Sequence, residues 1–260
     1  MAFGICVSGE DVWCGFHEGP RVDGGEALSE SWAFVLCVLV SFKSRFENYR
    51  MSKEVLVCQN EFASGIIDRV ANAVLEGQII VCPTDTFYAL VADAKNLTAM
   101  EQIYTIKNRS TNQPLPLIAV DVQQVNEQVG ALSQLGERLA STFWPGPLTL
   151  VVPAHAALGD QCKAADGSVA VRVPDQCFAR EVISEVGHPV TATSANVSGD
   201  TAISRIEDLT QEIRDGVDLI IDAGNLVGGV PSTIVDVRYA TPILIRDGAV
   251  PWNRVLESLQ

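Results

Sequence analysis

The sequence predicts an α/β fold: a twisted, mostly mixed open sheet flanked by helices, with a central cleft for substrate. Three observations predict it. From Glu61 onward, apolar residues at helical spacing alternate with short continuous apolar runs, and no long linker interrupts them. Several strand-like runs follow one another directly at both ends of the pattern, which points to mixed rather than purely parallel pairing. Short hydroxyl, amide and carboxylate side chains gather where the runs end, above all in residues 82–95.

Each element has its own signal. Phe62, Ile66, Val70 and Val74 recur at helical spacing and Gly77 ends that helix. Residues 78–82 form a buried strand. Thr98 and Glu101 have capping-box spacing, opening a helix to Lys107 with Met100, Ile103 and Tyr104 on one face. Residues 115–120 read as a strand, and Leu132, Leu135, Leu139 and Phe143 as one helix face. Trp144-Pro-Gly-Pro147 breaks that helix and launches a strand over 148–152. Strands follow at 168–173 and 189–193, separated by a helix over 178–186. Ser204 and Glu207 repeat the capping-box spacing before a helix to Asp215. Strands at 219–222, 233–237 and 243–246 and a short helix over 252–259 complete the set.

Composition excludes several classes. At 260 residues and a net charge of −14, the chain buries a sizeable core and is not globally attracted to nucleic acid. A local basic cleft is compatible with that charge, because a few convergent cations bind phosphate inside an acidic protein. The seven cysteines, Cys6, Cys14, Cys37, Cys58, Cys82, Cys162 and Cys177, form no CxxC pair and read as reduced thiols of a cytoplasmic protein. His17, His155 and His188 lack ligand spacing, so no metal site is expected from protein side chains.

Residues 1–50 differ from the rest, being rich in Gly and acids with one apolar run at 32–42. That run is too short for a bilayer, which needs about 20 residues, and no membrane association is expected. It follows Glu26 and Glu30 rather than a basic segment, unlike a signal peptide. Residues 1–50 are therefore expected to be a poorly ordered extension, with Met51 as an alternative start and 51–260 as the catalytic domain.

Neither GxxxxGK[ST], GxGxxG nor GxSxG occurs, so any phosphate must be held by side chains. Lys107 and Arg109 are suited to hold one, since Arg offers a planar fork of donors and Lys a mobile point charge. Taken alone the pair is a weak signal, and a solvated helix end favoured by the dipole is the commoner explanation. Ser194 and Asn196 fit either ligands or a turn. Arg172 stands in an apolar strand, VAVRV, where a cation needs an anionic partner, either a ligand or an internal salt bridge.

Seven segments, PTDTFYAL (83–90), KNR (107–109), WPGPLTLV (144–151), VAVRVP (169–174), TSANVSG (193–199), STIVD (232–236) and ILIRDG (243–248), occur in the order seen in the YrdC family, and the chain resembles that family from Phe62 to Arg246. The resemblance implies a YrdC-like sheet and a cytoplasmic enzyme. It would form threonylcarbamoyl-adenylate and pyrophosphate from L-threonine, bicarbonate and ATP with Mg²⁺, for threonylcarbamoyladenosine modification of tRNA. It assigns the threonine to Thr86, Arg172, Ser194 and Ser232. It assigns ATP to Lys107, Arg109, Gln113, Ser168, Asn196, Ser204 and Arg246. Lys107, Arg109, Ser194 and Asn196 form its catalytic set, and no general base stands out. The chain resembles the short, single-domain members, which implies partner proteins for transfer to tRNA.

The chain departs from the family at Ala89, where Gly is usual, at Ser110, where Pro is common, and at Gln113 with the stiff Pro114–Pro116 loop. Two readings compete: a divergent paralogue with another substrate, and a module binding tRNA or double-stranded RNA. The intact KxR and SxN pairs favour the synthase over the first, and the net charge opposes all but weak binding in the second.

Overall fold

The computed structural model describes residues 2–8, 11–17, 54–57 and 64–260. The chain divides into two units, Met1–Met51 and Ser52–Gln260. In the first, β1 (Ala2–Ser8) and β2 (Asp11–His17) pair as an antiparallel hairpin, which the sequence pattern does not place. The apolar run at 32–42, Met51 and Phe62 lie outside the described residues.

The second unit runs β3 (Glu54–Val57), α1 (Ser64–Leu75), β4 (Ile80–Pro83), β5 (Tyr88–Asp93), α2 (Leu97–Ile106), β6 (Leu117–Ile118), α3 (Val122–Gln124), α4 (Gln134–Phe143), β7 (Leu148–Pro153), β8 (Ser168–Arg172), α5 (Phe178–Val186), β9 (Val190–Ser194), α6 (Gln211–Gly216), β10 (Leu219–Asp222), β11 (Thr233–Asp236), β12 (Ile243–Arg246) and α7 (Trp252–Glu257). Its strands form one 10-stranded sheet in the order β12-β11-β7-β8-β6-β9-β5-β4-β10-β3. β11 with β7, β8 with β6, and β10 with both β4 and β3 are parallel. The remaining pairs are antiparallel, so the sheet is mixed and open.

Alternation along the strands separates two faces. On one, Val81, Leu90, Leu150, Val171 and Val235 join Met100, Ile103 and Leu139 of α2 and α4 in the larger core. On the other, Ile80, Val91, Val190 and Ile221 pack under α1 and α5 through Val70, Val74, Phe178 and Val182. Each such fully buried aliphatic side chain contributes about 1.5–3 kcal/mol of transfer free energy. The helices α1 and α5 cover only part of this second face. Beyond them it carries Thr149, Ala170, Arg172 and Ile234, and this stretch is the floor of a cleft.

Four local expectations are corrected. Asn96, not Thr98, caps α2, its Oδ1 accepting Ala99 N–H at 3.1 Å, because the helix has already begun at Leu97. The Ser204–Glu207 spacing yields a 3₁₀ turn, Ile206–Asp208, and α6 starts only at Gln211 behind the Thr210 cap. Arg214 donates to the carbonyls of Ile206 and Leu209, which closes that turn instead of extending a helix. The strand expected over 115–120 shrinks to β6, since Pro114 and Pro116 have no N–H to donate. Conversely Tyr88–Asp93 is a strand the pattern does not announce: all six residues are buried, so alternation is absent.

Candidate active site

The turn between β4 and β5 is built by its own side chains. Thr84 Oγ1 accepts the N–H groups of Thr86 and Phe87, both at 3.2 Å, and donates to Phe87 O at 2.7 Å. This fastening presents Thr86 to the cleft and turns Asp85 inward. Tyr88 anchors the strand that follows, its hydroxyl donating to Gly224 O at 2.8 Å and accepting Ala223 N–H at 2.9 Å. Burial pushes that phenol up to about 12, so it is a neutral strut.

The segment after β9 is held by Lys107. Its ammonium donates to Ser194 O at 2.5 Å, Asn196 O at 2.6 Å and Asn196 Oδ1 at 3.1 Å, and the residue is 1% exposed. Ser194 Oγ donates to the same Oδ1, and Asn196 Nδ2 donates to Asp200 O, each at 2.5 Å. Ser198 N–H closes the assembly on Lys107 O at 2.9 Å. Burial first, and the charge of Arg109 second, bring the ammonium down to about 8. Lys107 thus fastens the SxN segment from behind.

Three arginines border the cleft, each braced by carbonyl oxygens. Arg109 follows Asn108, whose φ of 48° turns the chain out of α2. It donates through Nε to Gln113 O at 3.0 Å and through Nη2 to Pro114 O at 3.1 Å, gathering the 113–116 loop against the cleft. Arg172 Nε donates to Gly146 O at 2.9 Å, and its Nη2 pairs with Asp85 Oδ2. Arg246 donates to Ser232 O at 2.7 Å and Ser232 Oγ at 3.1 Å, and that hydroxyl lies 2.9 Å from Thr149 Oγ1. Arg246 is exposed at the cleft edge, and partial desolvation by its neighbours, then proximity to Arg172, lowers it from its ordinary value. Arginine stays charged regardless, so the cleft concentrates positive charge in a protein of net −14.

These elements enclose a cavity of about 400 Å³. Of the residues singled out in the sequence, Thr86, Arg109, Arg172, Ser194, Asn196, Ser232 and Arg246 line it together. Lys107, Gln113, Ser168 and Ser204 are not on its wall. Lys107 lies behind it. Gln113 is exposed and contributes its carbonyl to Arg109 and to the Tyr104 hydroxyl. Ser168 begins β8, four residues from Arg172 and about 13 Å along the strand. Its hydroxyl donates to Asp166 Oδ1 at 2.6 Å, in a network closed by Arg238 and Asp236. Ser204 accepts Leu226 N–H at its carbonyl. Arg172 does form an internal salt bridge, yet the same side chain reaches the cavity.

Among the residues not foreseen at the site are Thr84, Thr149, Thr193 and Asp200 on the wall, and Asp85 behind it. Thr149 was legible from period two, since it alternates with the core residues Leu148 and Leu150. Ala89 lies on the floor opposite Ser194, and Pro114 and Pro116 form one rim. Among the described residues no cluster of three or more His, Cys, Asp or Glu could hold a metal ion, and no helix is long and apolar enough to cross a membrane.

A mixed α/β sheet carries hydroxyls and three arginines together on the wall of one cavity, an arrangement chemically suited to a small anion. The chain belongs to the Sua5/YciO/YrdC family, whose model, described as telomere recombination, matches residues 72–248. A threonylcarbamoyl-AMP synthase of Bacillus subtilis is 34% identical over 190 residues, covering 73% of this chain and 55% of that protein. One of Vibrio vulnificus is 35% identical over 184 residues, covering 70% and 98%. The chain therefore spans about half the length of the Bacillus relative and nearly all of the Vibrio one. The crystal structure of P. abyssi Sua5 complexed with L-threonine aligns with a TM-score of 0.75 at 29% identity, over 79% of this chain and 61% of that one. E. coli YciO, with a TM-score of 0.70 and 24% identity, shares the fold.

Proposed function

We propose that this chain is a threonylcarbamoyl-AMP synthase, condensing L-threonine, bicarbonate and ATP into L-threonylcarbamoyladenylate and pyrophosphate for the modification of tRNA. The observation that carries the reading is the convergence of Arg109, Arg172 and Arg246 with the hydroxyls of Thr86, Ser194 and Ser232 on one cavity. It is supported by the names of the Bacillus and Vibrio relatives and by the threonine complex of the P. abyssi protein.

In this reading Arg172 takes the threonine carboxylate, and Thr86, Ser194 and Ser232 take its remaining polar groups. The amine of threonine adds to the carbon of bicarbonate, losing water, to give a carbamate. A carbamate oxygen attacks the α-phosphate of ATP and pyrophosphate leaves. Arg109 and Arg246 hold the triphosphate, which arrives as its Mg²⁺ complex, and disperse the charge that develops on the leaving group. The carbamate is already an oxyanion, so orientation and electrostatics supply most of the acceleration of its attack on phosphorus.

Lys107 and Asn196 serve by shaping the wall. The Ser168 hydroxyl is engaged by Asp166, while Gln113 and Ser204 contribute backbone carbonyls to neighbouring elements. Transfer to tRNA is assigned to partner proteins, and full modification of tRNA by the purified chain with its substrates alone would contradict that. The synthase reading is tested by pyrophosphate release from ATP and bicarbonate, with L-threonine, with L-serine, and without amino acid.

A further inference from the structure

Asp85 is held in the turn between β4 and β5 and does not reach the cavity wall. Its side chain and that of Arg172 are each 11% exposed. Oδ2 accepts Arg172 Nη2 and, at 3.1 Å, the N–H of Asp175, so the carboxylate is fixed by the chain that leaves β8. Arg172 is gripped a second time where Nε donates to Gly146 O at 2.9 Å. Two contacts from two separate loops define the plane of a guanidinium, which one contact cannot do. Both approach from behind the wall, while Arg172 itself lines the cavity.

The electrostatics point the same way. Arg246 is close enough to Arg172 to feel its charge, so two like charges share this side of the cleft. Cys177 lies beside the pair, and burial pushes its thiol up to about 11, which leaves it neutral. The Asp175 carboxylate is turned to its own neighbour, accepting Gln176 N–H at 2.8 Å. Asp85 is thus the carboxylate ion-paired with Arg172. Among the described residues its buried Oδ1 has no hydrogen-bond partner.

We infer that Asp85 is a positioning residue that sets the guanidinium of Arg172 to receive the carboxylate of an amino-acid substrate, an assignment that rests on the function proposed above. Asp85 touches neither substrate nor reacting atoms, and its influence passes entirely through Arg172.

The test is threonine-dependent pyrophosphate release by the full chain carrying Asp85→Ala, Asp85→Asn, Arg172→Ala, or Asp85→Ala with Arg172→Ala, each first checked for a native circular dichroism spectrum. Asp85→Ala is expected to raise the threonine KM by about tenfold to hundredfold, the scale of a 1 Å misplacement, while the ATP KM stays within about twofold. Asp85→Asn keeps an oxygen for Arg172 and Asp175 and is expected to recover most of that loss. In the Arg172→Ala background, Asp85→Ala should add nothing further. The assignment is overturned if Asp85→Ala leaves the threonine KM unchanged, raises both KM values equally, or worsens the Arg172→Ala protein. Should Asp85→Ala fail to fold, Asp85→Asn decides: a threonine KM raised as far as in Arg172→Ala overturns the role, because the retained oxygen should suffice. Absence of threonine-dependent release in the unsubstituted chain would instead overturn the proposed function itself.

Discussion

Replacing Lys107 by Met removes one ammonium and leaves a side chain of similar reach. Three acceptors lose a donor: Ser194 O, Asn196 O and Asn196 Oδ1. Ser194 O keeps the N–H of Asn196, and Oδ1 keeps the Ser194 hydroxyl. Asn196 O loses the donor that Nζ supplied. A buried carbonyl left unsatisfied costs about 1–3 kcal/mol and each weakened bond about 0.5–1.5, for a total of about 3 kcal/mol. In a unit of this size 1 kcal/mol lowers Tm by about 2–4 °C, so Lys107→Met should melt about 6–12 °C lower. Turnover should fall with it, because Ser194 and Asn196 lose their brace. Burial also depresses the ammonium from 10.5 to about 8. Between those values the unfolded chain binds more protons than the folded one, so stability of the native sequence rises as pH climbs through that window. The stability advantage over Lys107→Met should therefore widen from pH 8 to 10.5. Thermal melts across that range and pyrophosphate release at pH 7.5 test both. A variant that melts within about 2 °C of the parent yet is inactive would refute the reasoning, placing Nζ on the reactants rather than behind the wall.

Arg109→Ala should abolish adenylate formation while leaving the circular dichroism spectrum and thermal melt close to the parent, since Arg109 gathers a surface loop and is not core packing; near-normal turnover would place the triphosphate elsewhere. Arg172→Ala should raise the threonine KM by at least about tenfold with little change in that for ATP, and equal losses in steady-state kinetics would contradict a carboxylate role. Gly248→Ala should cost about 1–3 kcal/mol and lower turnover, because a Cβ there would meet Pro231 O at 2.3 Å and Thr233 N at 2.7 Å, displacing Ser232. Unchanged melting and kinetics in that variant would show that the 231–233 backbone has room to yield.

Much of this architecture was legible because its signals are local. The helix over Phe178–Val186 and the strands Leu219–Asp222 and Ile243–Arg246 follow from apolar spacing and flanking turn residues. Tyr88–Asp93 escaped because burial on both faces erases alternation. The two capping boxes misled because a cap needs the chain to enter the helix at that residue, and Asn96 and Thr210 occupy the real entrances. The site divides in the same way. Hydroxyls and arginines at strand ends announced themselves by type, whereas the direction in which each side chain points is set by partners distant in sequence. Lys107 is drawn inward by oxygens 87 and 89 residues away, and Arg172 is braced by an aspartate 87 residues away. Ser168 shares a strand with Arg172 but sits at its opposite end, facing a separate ion-pair network.

The most direct test is pyrophosphate release from Mg²⁺–ATP and bicarbonate by the purified chain. Release is expected to require L-threonine, to be much weaker with L-serine, and to disappear with Arg109→Ala. A folded chain that binds ATP but releases pyrophosphate at the same rate with and without threonine would contradict the synthase reading.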